Sequence, residues 1–258
     1  MDNLLVKTGS SLKTFFTELG GISIMVFKAF AAIRIRHNFI PQIIEQFILI
    51  GKKSLPLVVV TSAFMGLAIG VQVGFQMTGF TPHWIAGGMI LRTILIDLGP
   101  ITIGLVLSGR ISAGIAAELG TMKVTEQVDA LRSFAIDPIG YLVTPRLIAA
   151  IFSVPALLVF SNSIAILLSY VSCNMTIHIT WNEFVQGMRY SFYVSDLMTS
   201  LIKSLVFGVV LISLGAYFGL NCQRGAKGVG SATTLAVVWA SVSVFVLDYV
   251  ISTIVFYA

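Results

Sequence analysis

Residues 55–78 read LPLVVVTSAFMGLAIGVQVGFQMT, a run of 24 residues without a charged side chain. A helix needs about 20 apolar residues to cross a hydrocarbon core of roughly 30 Å, so this run predicts a membrane-spanning helix. Four later stretches have the same character, and together they predict an all-α membrane protein with five transmembrane helices. The predicted spans are Leu55–Thr78, Ile85–Leu107, Leu147–Ser172, Leu197–Leu220 and Leu235–Tyr257.

The composition of the whole chain agrees with a membrane protein. Of its 258 residues 57% are hydrophobic and only 10% are charged, whereas a soluble domain carries roughly 25% charged residues. The net charge of +5 does not indicate a nucleic-acid partner, because the basic residues lie at the ends of apolar segments. Cys173 and Cys222 have no CxxC or histidine neighbour, so we expect no metal site.

The segment Leu12–Ile35 precedes the predicted spans and has a different pattern. Its apolar residues recur at spacings of three and four, interrupted by basic residues, which is typical of an amphipathic helix in the membrane interface. A sixth span is the alternative. The sequence therefore predicts an N-terminal interfacial segment over residues 1–54 and a five-helix transmembrane domain over residues 55–258.

Lysine and arginine residues predict the orientation of the chain, because they concentrate in cytoplasmic segments. Thirteen of them lie in the N-terminal segment and in the second and fourth connections, against two on the opposite side. We therefore expect the N-terminus in the cytoplasm and the C-terminus outside.

The connection between the second and third predicted spans reads GRISAGIAAELGTMKVTEQVDALRSFAIDPIGYLVTPR, residues 109–146. Gly120 is expected to break one helix, and Thr121 can cap a short amphipathic helix that ends before Pro138. A short charged helix between two spans can dock on a partner protein, or it can lie on the surface without one. The pattern alone leaves both open.

Charged residues inside a span cost about 2.5–3.5 kcal/mol each at the bilayer centre, so each needs a physical reason. Asp97 comes just before Gly99 and Pro100. Pro100 cannot donate a hydrogen bond to the carbonyl of Ile96, so the helix is predicted to kink beside this carboxylate. Asp97 can line a polar pocket, or it can bond a neighbouring helix for assembly only.

Lys203 and Asp248 lie at similar predicted depths, roughly 9 and 14 Å from the outer ends of their spans at 1.5 Å per residue. The sequence predicts an intramembrane ion pair between them, because either charge alone is costly in hydrocarbon. In the alternative, Lys203 extends outward while Asp248 bonds to serines such as Ser204 or Ser243. Arg92 lies nearer the outer surface and is expected to act as an anchor or mouth residue.

The first span carries small residues at a spacing of four, namely Ser62, Gly66, Gly70 and Gly74. Such a stripe lets another helix approach closely, either within one protomer or across a dimer. Bulkier residues trace another part of the same span and its outer end. Candidate acyl-chain contacts are therefore Ile69, Val73, Met77 and Phe80.

The segment 109–146 resembles the signature segment of the MlaE/YrbE permease family. Further matches are LIDLGP at 95–100, LIKSLVFG at 201–208 and LDYV at 247–250. The resemblance covers the chain from about Leu55 to its end. Relatives usually carry Arg-Glu where this chain has Ile96 and Asp97.

The resemblance implies a homodimeric permease of an ABC transporter in the inner membrane, moving phospholipid or a similar amphiphile. It implies a separate cytoplasmic ATPase that binds ATP and magnesium, a periplasmic MCE-domain lipid carrier and a possible small cytoplasmic accessory subunit. This chain has no Walker A loop, so we expect neither catalysis nor a cofactor on it. Expected ATPase-coupling residues are Glu118, Gly120, Thr121, Glu126, Gln127, Asp129 and Arg132, and Asp97 and Leu98 join the expected lipid contacts.

Two other classes of function remain as alternatives. A stand-alone secondary transporter or channel would need internal repeats or broken helices in matching halves, and five unequal spans show neither clearly. A membrane scaffold that only gathers partners would have no need for Asp97.

Overall fold

Helices account for all the regular structure of the residues that the computed structural model describes, which are 17–18, 20–32, 40–77 and 82–257. We number them in chain order within those ranges. They are α1 Gly20–Ala32, α2 Ile40–Gln76, α3 Ile85–Val124, α4 Gln127–Ser133, α5 Ile139–Ile177, α6 Trp181–Ser191, α7 Val194–Leu220 and α8 Ala226–Tyr257.

Five of these helices, α2, α3, α5, α7 and α8, are long and apolar enough to cross a membrane. The predicted all-α architecture with five spans is therefore confirmed. Most of the helices extend well beyond the predicted bounds: α3 has 40 residues, about 60 Å at 1.5 Å per residue, or twice the hydrocarbon thickness. The bundle thus has an end that carries α4 and an opposite end that carries α6.

Over the residues that the structure describes, helix α1 is shorter than a membrane span. Its 13 residues reach about 20 Å, against a core of roughly 30 Å. Met25 and Ala29 are buried against the bundle while Phe27 is exposed, and Thr144 Oγ1 on α5 donates a 2.8 Å hydrogen bond to the carbonyl of Ala29. This agrees with the predicted amphipathic helix, although residues 12–16, 19 and 33–35 of the predicted segment lie outside the described residues.

The predicted division at residues 54 and 55 falls inside α2. The helix passes from Ile40–Ile50 through a 3₁₀ turn at Lys52–Ser54 and continues as Leu55–Gln76. Ser54 is fully buried there and accepts a 2.9 Å hydrogen bond from Arg110 Nε on α3. The structure therefore places no linker between the two predicted regions.

The small-residue stripe of α2 packs against α5 of the same chain. A Cβ at Gly66 would collide with the backbone of Ala165, and one at Gly70 with the backbone of Ser169. Ser169 Oγ uses this closeness to donate a 2.9 Å hydrogen bond to the carbonyl of Gly66. Of the two alternatives for the stripe, close packing within one protomer is the one that the structure shows.

Candidate functional site

A buried lysine ammonium lies at the centre of a polar cluster inside the bundle. Lys203, on α7, is fully buried, and its Nζ lies 2.7 Å from Asp248 Oδ1 on α8 and 3.8 Å from Asp97 Oδ1 on α3. Nζ also donates a 2.7 Å hydrogen bond to the backbone carbonyl of Ile96. The structure thus brings together the pair expected between the fourth and fifth spans. The second carboxylate and the carbonyl, both from α3, were not connected to this pair at the sequence level.

The carbonyl of Ile96 is available because of the proline that follows it. Pro100 has no N–H with which to bond the carbonyl four residues earlier. Residues Ile94–Leu98 form a π-helical turn, so the kink expected here takes the form of a locally widened helix. Such turns inside α-helices are frequent at functional sites. Lys203 of α7 donates to this carbonyl the hydrogen bond that Pro100 cannot supply.

The polar layer continues into α5 at the same level. A Cβ at Gly99 would collide with Asn162 Oδ1, and Asn162 Nδ2 donates a 3.4 Å hydrogen bond to Ser200 Oγ on α7. Gly99 is therefore required for the close approach of α3 and α5. Sequence reasoning missed Asn162 and Ser200, because neutral polar side chains in a span carry a weaker signal than charges.

Asp97 connects this buried cluster to the surface of the chain. Its side chain is 57% exposed, whereas the Lys203 side chain is 0% exposed. Leu98 beside it is also exposed. The carboxylate therefore presents charge on a face of α3 that the chain does not cover.

A second ion pair lies nearer the α6 end of the same helix. Arg92 Nε lies 3.1 Å from Asp196 Oδ2 on α7, with side chains that are 45% and 6% exposed. The guanidinium also lies 5.3 Å from the ring centre of Tyr193. The expected mouth residue is thus fixed by Asp196, in the first turn of α7, and by Tyr193, which lies just before that helix. Sequence reasoning missed Asp196, which lies just before the predicted span Leu197–Leu220.

Three of the candidate acyl-chain contacts are buried inside the protomer. Ile69, Val73 and Met77 are only 5–7% exposed, and they pack in a cluster with side chains of α3, α5 and α6. In this arrangement they are not exposed to acyl chains, because the apolar face that they form packs on the bundle, and their assignment as lipid contacts stays a prediction. Phe80 lies outside the described residues.

An apolar groove lies elsewhere, between α1, α7 and α8. It has a volume of about 800 Å³ and an almost wholly apolar lining that includes Val26, Phe27, Val210 and Trp239. None of the predicted lipid contacts lines it.

The connection at the α4 end folds differently from the prediction. Helix α3 continues through Gly120 and Thr121 to Val124, and the break comes at Glu126, which adopts a left-handed conformation with φ 60°. A Cβ at Gly120 would lie 3.4 Å from Val229 on α8. That distance is an ordinary van der Waals contact, so Gly120 lies within the helix without being required for its packing, and the expected break and cap at 120–121 are wrong.

Helix α4 is fastened to the end of α3 by its own charges. Asp129 Oδ1 lies 3.1 Å from Lys123 Nζ and 3.3 Å from Arg132 Nη1, and Val128 is buried beneath the helix. Glu126 and Gln127 remain exposed at its start. Of the coupling residues expected here, Asp129 and Arg132 are therefore partly engaged within the chain.

Glu118 joins α3 to α5 beside α4. Arg146, which is buried, donates from Nη2 to Glu118 Oε1 at 2.7 Å and from Nη1 to the carbonyl of Leu142. Sequence reasoning assigned Glu118 to coupling without finding this partner, which lies 28 residues further along the chain.

Two groups outside the spans have displaced pKa values. Hydrogen bonds from the backbone and side chain of Thr180 lower the pKa of Glu183, which closes a capping box at the start of α6. Burial raises the pKa of the Cys222 thiol in the connection before α8. Within the described ranges no group of three or more His, Cys, Asp or Glu residues is placed to hold a metal ion.

The match to a known family covers nearly the same residues as the helical bundle. A family model described as Permease MlaE matches residues 43–254. A probable ABC transporter permease protein of Rickettsia felis is 33% identical over 254 residues, covering 98% of both chains. The protein TRIGALACTOSYLDIACYLGLYCEROL 1 of Arabidopsis thaliana is 34% identical over 80% of this chain and 59% of its own length. The intermembrane phospholipid transport system permease protein MlaE of Haemophilus influenzae is 28% identical over 98% of both chains.

Proposed function

This chain belongs to the MlaE permease family, and from that premise we propose that it is the membrane-spanning subunit of an ABC transporter that moves phospholipid or a similar amphiphile. A separate ABC ATPase, binding ATP and magnesium, drives it from the cytoplasmic side. Relatives named as ABC transporter permeases and as a phospholipid transport permease support this proposal.

The observation that carries the proposal is the charged cluster that reaches the surface of α3 through Asp97. An amphiphile needs a polar site for its headgroup next to apolar surface for its chains. Asp97 offers such a polar group at membrane depth, with the exposed Leu98 beside it. A fixed charge inside a span marks a substrate path by default, because it is too costly to keep without a role.

Helix α4 is the part of the chain that fits an ATPase. It is a seven-residue helix between two spans, and its start exposes Glu126 and Gln127. Non-glycine residues in left-handed conformation stand at both of its ends, Glu126 and Ala135, so its direction is held by two sharp turns. We assign α4 to the docking groove of the ATPase, with Glu126 as its exposed charge.

The remaining partners follow from the same family membership. The permease acts as a homodimer in an inner membrane, with the α4 end and the N-terminus in the cytoplasm and the C-terminus in the periplasm. The α6 end then faces an MCE-domain lipid carrier, and a small accessory subunit on the cytoplasmic side completes the assembly.

Reconstitution tests the proposal directly. The transporter is purified from its native membrane in mild detergent, its subunits are identified by mass spectrometry, and the complex is placed in liposomes that contain fluorescent phospholipid. We expect an ABC ATPase to co-purify and lipid movement to require ATP. Lipid movement that is indifferent to ATP, or ion conduction by the chain alone, would contradict the proposal.

A charge reversal tests the docking assignment separately. Glu126→Lys should leave the amount of protein in the membrane unchanged but reduce co-purification of the ATPase, because it reverses the exposed charge of α4. Lys227→Glu is the matched control, since it reverses an exposed charge at the same end of the bundle. Equal recovery of the ATPase with both variants would remove α4 from the docking surface.

A further inference from the structure

Two opposite charges lie on one exposed strip of α3. The residues that this helix leaves exposed in its first half are Met89, Arg92, Asp97 and Leu98, with Thr93 partly exposed between them. Both charged side chains reach residues of α7, Arg92 through Asp196 and Asp97 through Lys203. They therefore lie on the side of α3 that faces α7, with Asp97 in the π-helical turn Ile94–Leu98. The two charged residues are separated by about 7.5 Å of helix rise.

Arg92 is held in place but keeps hydrogen-bond donors to offer. Asp196 contacts its Nε, and Tyr193 lies against the guanidinium. Among the described residues, the hydrogen bond from Arg92 to a carboxylate is donated by Nε, and the side chain is 45% exposed. A guanidinium fixed in this way presents two parallel N–H groups, the arrangement that matches a phosphate.

The charges of this region do not cancel. Arg92 is paired with Asp196, and Lys203 is paired with Asp248 at 2.7 Å, whereas Asp97 lies 3.8 Å from the same lysine. Two cations and three carboxylates leave a net charge of −1, and the uncompensated charge falls on the most exposed of the three carboxylates. A headgroup that carries an ammonium next to its phosphate has no net charge, so the net charge stays at −1 while the ammonium gives Asp97 a cationic partner. An anionic headgroup makes the net charge −2 and offers Asp97 no such partner.

We propose that the Arg92–Asp97 strip selects phospholipids whose headgroup carries an amine, with the phosphate on Arg92 and the ammonium on Asp97. The inference rests on the proposed function and names the class of lipid. Arg92 then contributes to the binding of every phospholipid, because all of them carry the phosphate. Asp97 discriminates among them, because only some carry the amine.

Lipid retention by the assembled transporter measures this selection. The complex is reconstituted in vesicles with equal amounts of phosphatidylethanolamine and phosphatidylglycerol of matched acyl chains, re-extracted, and its retained lipids are quantified by mass spectrometry. We expect the wild type to retain phosphatidylethanolamine about tenfold in excess, which corresponds to about 1.4 kcal/mol. Asp97→Asn should bring the ratio near one. An exposed carboxylate away from the strip serves as control, and Glu183→Gln should keep the wild-type ratio.

Substitution at Arg92 should act differently from substitution at Asp97. Arg92→Gln is expected to lower retention of both lipids alike and to leave their ratio unchanged. Because this variant leaves Asp196 without its partner, Arg92→Gln is also made together with Asp196→Asn, and Arg92→Lys tests the guanidinium while keeping the charge. A wild-type ratio equal to that of the vesicles, or an unchanged ratio in Asp97→Asn, would overturn the inference. ATP-driven movement of both lipids without preference would do so while leaving the proposed function intact.

Discussion

Removal of the buried lysine should destabilise the bundle more than removal of its nearest carboxylate. Lys203→Met leaves Asp248 without its cation and the carbonyl of Ile96 without its donor. Removing one partner of a buried ion pair costs about 3–5 kcal/mol, and an orphaned buried carbonyl costs about 1–3 kcal/mol. We therefore expect Lys203→Met to lower the free energy of unfolding by about 4–8 kcal/mol.

Asp248→Asn should cost less, because the lysine keeps two of its three partners. At an effective dielectric constant of about 20, the Coulomb attraction is about 6 kcal/mol at the 2.7 Å distance to Asp248 and about 4 kcal/mol at the 3.8 Å distance to Asp97. The attraction to the remaining carboxylate, Asp97, is thus roughly two-thirds of the attraction to Asp248 that is lost, and solvent around the exposed Asp97 reduces it further. We expect a loss of about 2–3 kcal/mol.

Thermal unfolding of the purified protein in detergent measures both losses. At about 2–4 °C per kcal/mol for a chain of this size, Lys203→Met should lower Tm by about 10–30 °C and Asp248→Asn by about 5–10 °C. Lys227→Met, the same substitution at an exposed lysine, is the control and should change stability by at most about 0.5 kcal/mol.

The double variant tests whether the two residues act as a unit. Lys203→Met with Asp248→Asn should lose less than the sum of the single losses, by at least about 1 kcal/mol, because no unpaired charge remains between α7 and α8. Additive losses, or a loss in Lys203→Met no larger than that of Lys227→Met, would refute the account of the cluster.

Three further changes test other parts of the structure. Gly66→Ala should lose about 1–3 kcal/mol because its Cβ collides with the α5 backbone, whereas Gly114→Ala, with open space around it, should not destabilise; thermal unfolding distinguishes them. Pro100→Ala restores an N–H that competes with Lys203 for the same carbonyl, so ATP-driven lipid movement should fall while Tm changes little. Folding lowers the pKa of Glu183. Its capping contribution to the stability of α6 is therefore present above the pKa that Glu183 has in the unfolded chain, and it is lost as the pH falls through the pKa in the folded protein. Glu183→Gln should abolish this pH dependence, which hydrogen exchange of α6 measures.

The five spans could be predicted from sequence because each is specified by its own composition. An apolar run of about 20 residues must cross the membrane or be buried whatever its neighbours are. The ends of the helices could not be predicted in this way. Gly120 has the properties of a helix terminator, yet it lies inside α3, where the helix packs beside Val229 of α8. That neighbour is more than 100 residues away in the sequence.

The candidate site, too, could be predicted only in part: the sequence gives the depth of a residue but not the direction of its side chain. A sequence places a residue of a span at a depth in the membrane, which is why Lys203 and Asp248 could be paired before their contact was known. It does not show which way a side chain points around its helix. Ile69 and Val73 were therefore assigned to lipid, although they face the protein.

Asp97 illustrates what the direction of a side chain adds to its depth in the membrane. Measured from the ends of their helices at the α6 end, Asp97, Lys203 and Asp248 all lie about 14–18 Å deep at 1.5 Å per residue, so depth alone allowed Lys203 to pair with either carboxylate. In the structure Lys203 Nζ lies 2.7 Å from Asp248 and also donates to the carbonyl of Ile96, to which Pro100 cannot donate. Because the lysine is held by this carbonyl and by Asp248, Asp97 keeps most of its surface exposed. Pro100 leaves the carbonyl of Ile96 to Lys203, and in this way it helps to keep the carboxylate of Asp97 accessible at this depth.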